Sequence, residues 1–208
     1  YAILGVFMLW FGWWGFNGGS GLKYDDTIAG IIFNTNLAGA AAGISAYVVA
    51  LITERMDGRF FKKGFIPEKV IGGILGGLVA ITASCDRATP LEAFFIIGLS
   101  AGLVHNLVFD LLLYFKIDDP VGAVPVHAGC GVLGTLLVAI TYPDAVGQLG
   151  VQLLGAFVAF IWSFSMAALL ALILRALHQL PQQRASIPPS SDPIGAPGAG
   201  SPDPAWTV

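Results

Sequence analysis

The sequence predicts an all-α polytopic membrane protein, and three observations carry that expectation. Of its 208 residues 56% are hydrophobic, with a mean hydropathy of +0.78. Only 11% are charged, against roughly a quarter in soluble domains. The charges are bunched, which leaves several uncharged tracts near the roughly 20 apolar residues a bilayer-crossing helix needs.

Six spans follow in order: 1–19, 28–53, 69–84, 92–115, 122–141 and 147–177. The first ends in WFGWWGFNGGS, residues 10–20, dense in Gly and aromatic rings. The second holds FNTNLAGAAAG, a run of small residues with Asn34 and Asn36 as interhelical glue. The third is short and carries Gly72, Gly73, Gly76 and Gly77, a spacing that lets helix backbones approach closely; a buried re-entrant segment is the alternative. The fourth contains His105 and Asp110, expected to bond structurally between helices, and the fifth contains His127. The sixth is the longest, and from Leu180 a Pro/Gly/Ser-rich sequence begins, expected to be a disordered tail. The domain reading is therefore a membrane region, 1–179, and a cytoplasmic tail, 180–208.

Loop charges orient the spans. Arg55, Arg59, Lys62, Lys63 and Lys69 follow the second, Lys116 follows the fourth, and Arg175 and Arg184 lie at the end. The alternate loops carry only Lys23, only Arg87, or no basic residue. Lys and Arg favour the cytoplasmic side, so both ends of the chain are expected there and Ser20 outside. Tyr1 opens directly on an apolar run, which reads as a start partway through a larger protein.

Ionisable groups at membrane depth are the functional candidates. His127 lies eleven residues past Lys116, roughly 16 Å at about 1.5 Å per residue, which is near the midplane. Neutral imidazole offers one donor and one acceptor there without a full charge; a hydrogen-bonded packing role is the other reading. Asp118 and Asp119 precede Pro120, a helix-start pattern that assigns a cap to at least one of them. In the aromatic stretch Trp13, Phe16 and Ser20 follow an i, i+3, i+7 spacing and share a helix face. That face is a candidate cation site, since Trp rings attract cations and a hydroxyl accepts hydrogen bonds; an interfacial Trp belt is the alternative. Trp10 and Trp14 are assigned to belt or packing.

Cys85 and Cys130 read as two buried thiols. No metal site, cofactor, phosphate-binding loop or nucleophile–base arrangement is evident, so no enzyme is expected. No basic run with interleaved aromatics points to nucleic acid.

WFGWWGFNGGS, FNTNLAGAAAG, GGLVAITASC and IDDPVGAVPVHAGCGVLGTLLVA together resemble the family of ammonium transporters, methylammonium permeases and Rhesus proteins. The resemblance covers roughly residues 1 to 177. It implies an eleven-span fold of two inverted five-helix repeats around a pore, with this chain matching the second repeat plus the last helix. It also implies homotrimers in the plasma membrane, and nitrogen uptake by passage of ammonium, ammonia or methylammonium through a hydrophobic, histidine-lined pore where ammonium is deprotonated. By the same resemblance Phe16 is an outer gate ring and Ser20 a vestibule acceptor with Trp13 beside it. His127 is one of two pore histidines, and Asp119 caps structure near the pore's inner end. The missing N-terminal repeat is needed to complete the pore. The tail departs from the family's acidic helical C-terminus, which leaves a cytoplasmic signalling regulator open. An ammonium-sensing receptor of the same fold and a non-transporting fragment are the alternatives.

Overall fold

The computed structural model describes residues 1–56, 60–61, 63–142 and 149–177. The expected tail from residue 180, with Arg184, lies outside the described residues, as do Arg59 and Lys62. All regular structure among the described residues is helical: α1 Ala2–Ser20, α2 Thr27–Arg55, α3 Ile66–Ile81, α4 Glu92–Tyr114, α5 Val124–Thr141 and α6 Leu149–Ala176. Four of these, α2, α4, α5 and α6, are long and apolar enough to cross a membrane. The chain divides into two compact units, Tyr1–Phe160 and Ile161–Val208. As far as it is described, the second is the remainder of α6, and α6 buries no residue.

Helix starts follow local chemistry. At α4, Thr89 and Glu92 form a reciprocal capping box: the Thr89 N–H donates to Glu92 Oε2 at 2.7 Å and the Glu92 N–H to Thr89 Oγ1 at 3.3 Å. α3 opens with a Pro in its first turn, where a missing N–H costs nothing. Ahead of α2, the Thr27 hydroxyl and N–H both donate to Asp25 and hold its carboxyl below the usual range. α4 and α5 begin with π-helical turns, Glu92–Gly98 and Val124–Gly129. In α5 the cause is visible: Pro125 has no N–H to give, and the Cys130 N–H reaches back to the Pro125 carbonyl.

From α1 to α5 successive helices run in opposite directions. The end of α1 meets the end of α3 through Trp13 and Thr82, and meets the start of α2 through Asn17 and Thr35. At the opposite end Lys69 of α3 meets Asp110 of α4 and Thr53 of α2. Arg55, Lys63 and Lys116 lie at this second end, Lys23 and Arg87 at the first. This alternation is the one the loop charges predict, with one correction. Lys69 belongs to no loop: α3 starts three residues earlier than the sequence suggests, and Lys69 is buried to 1% exposure.

The four glycines of α3 explain how so small a bundle closes. A methyl on Gly73 would stand 2.3 Å from Ala46 Cβ, and one on Gly77 2.5 Å from the Ala38 carbonyl, both in α2. On the other side a methyl on Gly72 would meet His105 of α4 at 2.2 Å, and one on Gly76 Cys130 of α5 at 2.7 Å. The i, i+4 pairs thus admit α2 on one flank and α4 with α5 on the other, small residues serving as the contact surface where lipid supplies no hydrophobic drive. The core is correspondingly Ala-rich, with Ala38, Ala42, Ala80, Ala93 and Ala101 fully buried beside Ile97 and Cys130. Both cysteines are free and buried, as expected.

Candidate functional site: the uncovered face of α1 and α5

Two opposite treatments of polar and aromatic groups define the site. One set is buried and bonded, and the other is left open.

The buried set fastens helices. Trp10 and Trp14, one turn apart, both donate their indole N–H to Asn36 Oδ1 at 2.9 Å. Asn36 fixes its own orientation by donating to the Ile32 carbonyl at 2.9 Å. Asn34 donates to the Cys85 and Ala88 carbonyls at 3.2 and 2.7 Å and so ties α2 to the α3–α4 connection. Both asparagines therefore act between elements. Asp110 also bonds between helices, with Lys69 Nζ 2.8 Å away and both side chains 1% exposed. His105 differs from expectation: its hydrogen bond is to its neighbour Asn106, at 3.1 Å, not across to another helix. Asn106 donates its amide to the Ala46 carbonyl, so its oxygen faces the ring and His105 Nδ1 carries the proton. Nε2 then abuts Gly72, with no room for a ligand. Both ring nitrogens of His105 are thereby closed in.

The open set is the one singled out by sequence. Phe16 is 57% exposed, one turn before the end of α1. Ser20, one turn on, donates its hydroxyl to the Phe16 carbonyl at 2.6 Å, which leaves its oxygen free to accept. The Trp13 ring lies 5.5 Å from that of Phe16, tilted by 53°, so these two rings do share a face. The Trp13 indole N–H is committed to Thr82 Oγ1 at 3.0 Å, so Trp13 offers its ring only. His127 is exposed, within the π-helical turn of α5, while Pro125 and Val126 beside it are buried. No hydrogen bond or ring contact joins His127 to Phe16 among the described residues.

Asp118 is exposed and Asp119 caps. The Asp119 carboxylate accepts from the Ala123 and Val124 N–H at 2.9 and 2.8 Å. Pro120 is not the first helical residue that the sequence suggested. It sits in a turn closed by the Gly122 N–H on the Asp119 carbonyl, with Gly122 at φ +65°, and the helix begins at Val124.

The sequence reading missed Lys69 and Thr82. An acidic residue in an apolar span calls for a countercharge, and that demand on Asp110 was the available signal for Lys69.

Together these features define a polytopic helical membrane protein with a tightly packed small-residue core, and with Phe16, Ser20 and His127 left exposed. The sequence model of the Ammonium Transporter Family matches residues 1–186, and the chain belongs to that family. It is 34% identical over 196 residues to ammonium transporter Amt2 of Archaeoglobus fulgidus, covering 84% of this chain and 40% of that protein. It is 34% identical over 195 residues to an ammonium transporter of Mycobacterium tuberculosis, covering 84% of this chain and 39% of the relative. Among solved structures, the one described as Sensor Amt Protein superposes with a TM-score of 0.76 at 41% identity, covering 86% of this chain and 44% of that one. Saccharomyces cerevisiae Mep2 superposes at 0.72 and 26% identity, covering 89% and 47%. The chain thus spans less than half the length of each of these relatives.

Proposed function

We propose that this chain supplies one wall of a pore that carries ammonium nitrogen across the plasma membrane, the other wall coming from a first repeat of similar size. The observation that carries the reading is the exposure of His127 in an apolar helix, beside the buried Pro125 and Val126, with Ser20 and Phe16 exposed on α1. In the same bundle Lys69, His105 and Asp110 are almost wholly buried. A membrane helix gains nothing by turning a histidine toward lipid, so that face suits a partner segment and a pore between the two.

In this reading ammonium meets the ring faces of Trp13 and Phe16 at the outer mouth, and donates one N–H to Ser20. Phe16 gates the passage. A bare cation in a narrow apolar channel costs several kcal/mol, so ammonium gives up a proton and the neutral amine crosses. His127 moves the proton along the same path, its imidazole able to donate at one nitrogen and accept at the other. Asp119 fixes the start of the helix that carries His127. Potassium and sodium have no proton to shed and are rejected. Homotrimer assembly and cytoplasmic ends belong to the same proposal, and methylammonium is an alternative substrate.

The test is an ammonium concentration jump on proteoliposomes holding the full-length protein. An inward current for ammonium, and none for an equal potassium jump, is expected; equal currents for both would refute the mechanism.

The likeness to a sensor of the same fold, at 41% identity, favours a second reading, an ammonium receptor. It predicts an ammonium-dependent change in Trp fluorescence with no current.

A further inference from the structure

Lys69 and Asp110 form a buried ion pair that no step above uses. Removing two charges from water is costly, and apolar side chains of the same volume often hold helices together as well or better. A pair kept at that cost calls for a role in geometry, and its surroundings show which geometry.

Phe109, adjacent to Asp110, sits at the centre of a contact chain. Its ring centroid is 6.0 Å from Lys69 Nζ, 6.1 Å from the His105 ring and 5.7 Å from the Phe65 ring. Phe109 also lines a cavity of about 40 Å³ together with Leu112, Asp119, Gly122 and Pro125. Asp119 and Pro125 are the two residues that shape the start of α5: one captures the N–H groups of Ala123 and Val124, the other opens the π-helical turn. His127 follows Pro125 by two residues within that turn. A methyl on Gly129, two residues further, would stand 3.1 Å from Val108 of α4, so the turn rests directly on α4.

We propose that Lys69 and Asp110 are positioning residues for His127. The pair fixes the inner end of α4 against α3, and with it the register of Phe109. Phe109 and the Asp119–Pro125 segment line the same cavity, so the position of the ring sets the space available to the segment that aims the imidazole. An apolar contact between α3 and α4 is non-directional and tolerates a slide along the helix axis. The 2.8 Å ion pair does not. The proposal rests on His127 acting in the pore.

The experiment uses the full-length protein and four versions: unaltered, Lys69→Met with Asp110→Leu, Lys69→Arg, and His127→Ala. Folded yield and thermal midpoint in detergent report structure, while amplitude and pH profile of the ammonium-evoked current report His127. The double variant is expected to fold as well as the unaltered protein, yet to lose current by about tenfold, within the roughly 100-fold that a 1 Å misplacement can cost, and to shift the pH profile. Lys69→Arg, which keeps a directional pair, is expected to retain the unaltered profile. A well-folded double variant with unaltered current and profile would overturn the proposal, as would a Lys69→Arg protein that behaves like the double variant. If His127→Ala itself keeps full current, the pore role of His127 fails instead.

Discussion

Replacing Asn36 with Leu tests how α1 is held. Asn36 Oδ1 is the shared acceptor for the indole N–H groups of Trp10 and Trp14, each at 2.9 Å and each partly buried. Leu has a similar branched shape and a higher helix propensity, and it removes both indole bonds together with the local bond to the Ile32 carbonyl. Hydrogen bonds between membrane helices contribute about 0.6 kcal/mol on average and up to about 1.7. Two bonds therefore put the loss at roughly 1–3 kcal/mol, the upper part applying if the orphaned indoles find no water. The assay is unfolding of the full-length protein in detergent, followed by Trp fluorescence. It is repeated in a Trp10→Phe, Trp14→Phe background, where the acceptor has nothing left to serve. There the Asn36→Leu cost should fall below about 0.5 kcal/mol, as expected when a double-mutant cycle removes the coupling. An equal cost in both backgrounds would refute the reasoning, because the effect would then come from packing and not from the two indoles.

Further outcomes follow from the same contacts. Gly77→Ala would place a methyl 2.5 Å from both the Ala38 carbonyl and Ala42 Cβ, neither of which can rotate away; overpacking of that kind costs about 1–3 kcal/mol, measurable as a lower thermal midpoint. Cys85 lies past the end of α3, where burial and then the Asp86 charge push its thiol up to about 11. In a Cys130→Ala background it should alkylate at pH 8 roughly 100-fold more slowly than an ordinary exposed thiol, because the thiolate is the reactive form; labelling at the ordinary rate would contradict its burial. Phe16→Ala should raise flux or weaken rejection of potassium in a reconstituted full-length protein, and unchanged flux and selectivity would remove Phe16 from the gate.

Much of this architecture is legible in the chain because membrane helices obey few rules. Composition and hydropathy place the helices within a few residues, and loop charges give their alternation, since both depend on each segment's own residues. The face shared by Trp13 and Phe16 follows from helical spacing alone and is present in the structure. What escapes the sequence is what depends on a second segment. Lys69 looks like a loop cation until Asp110 is brought beside it across forty-one positions. Trp13 looks free until Thr82 takes its N–H. His105 and His127 look alike as intramembrane histidines. Their difference is tertiary: Asn106 and Gly72 close the first in, while the π-helical turn of α5 leaves the second open. The late start of α5 has the same origin, because Asp119 folds back on two N–H groups instead of letting Pro120 begin the helix.

The central claim is that His127 moves the proton which ammonium gives up. Its most direct measurement is the charge displaced by an ammonium jump in proteoliposomes holding the full-length His127→Ala protein, at matched protein density. This charge movement is expected to disappear while the protein remains folded. A displacement equal to that of the unaltered protein would contradict it.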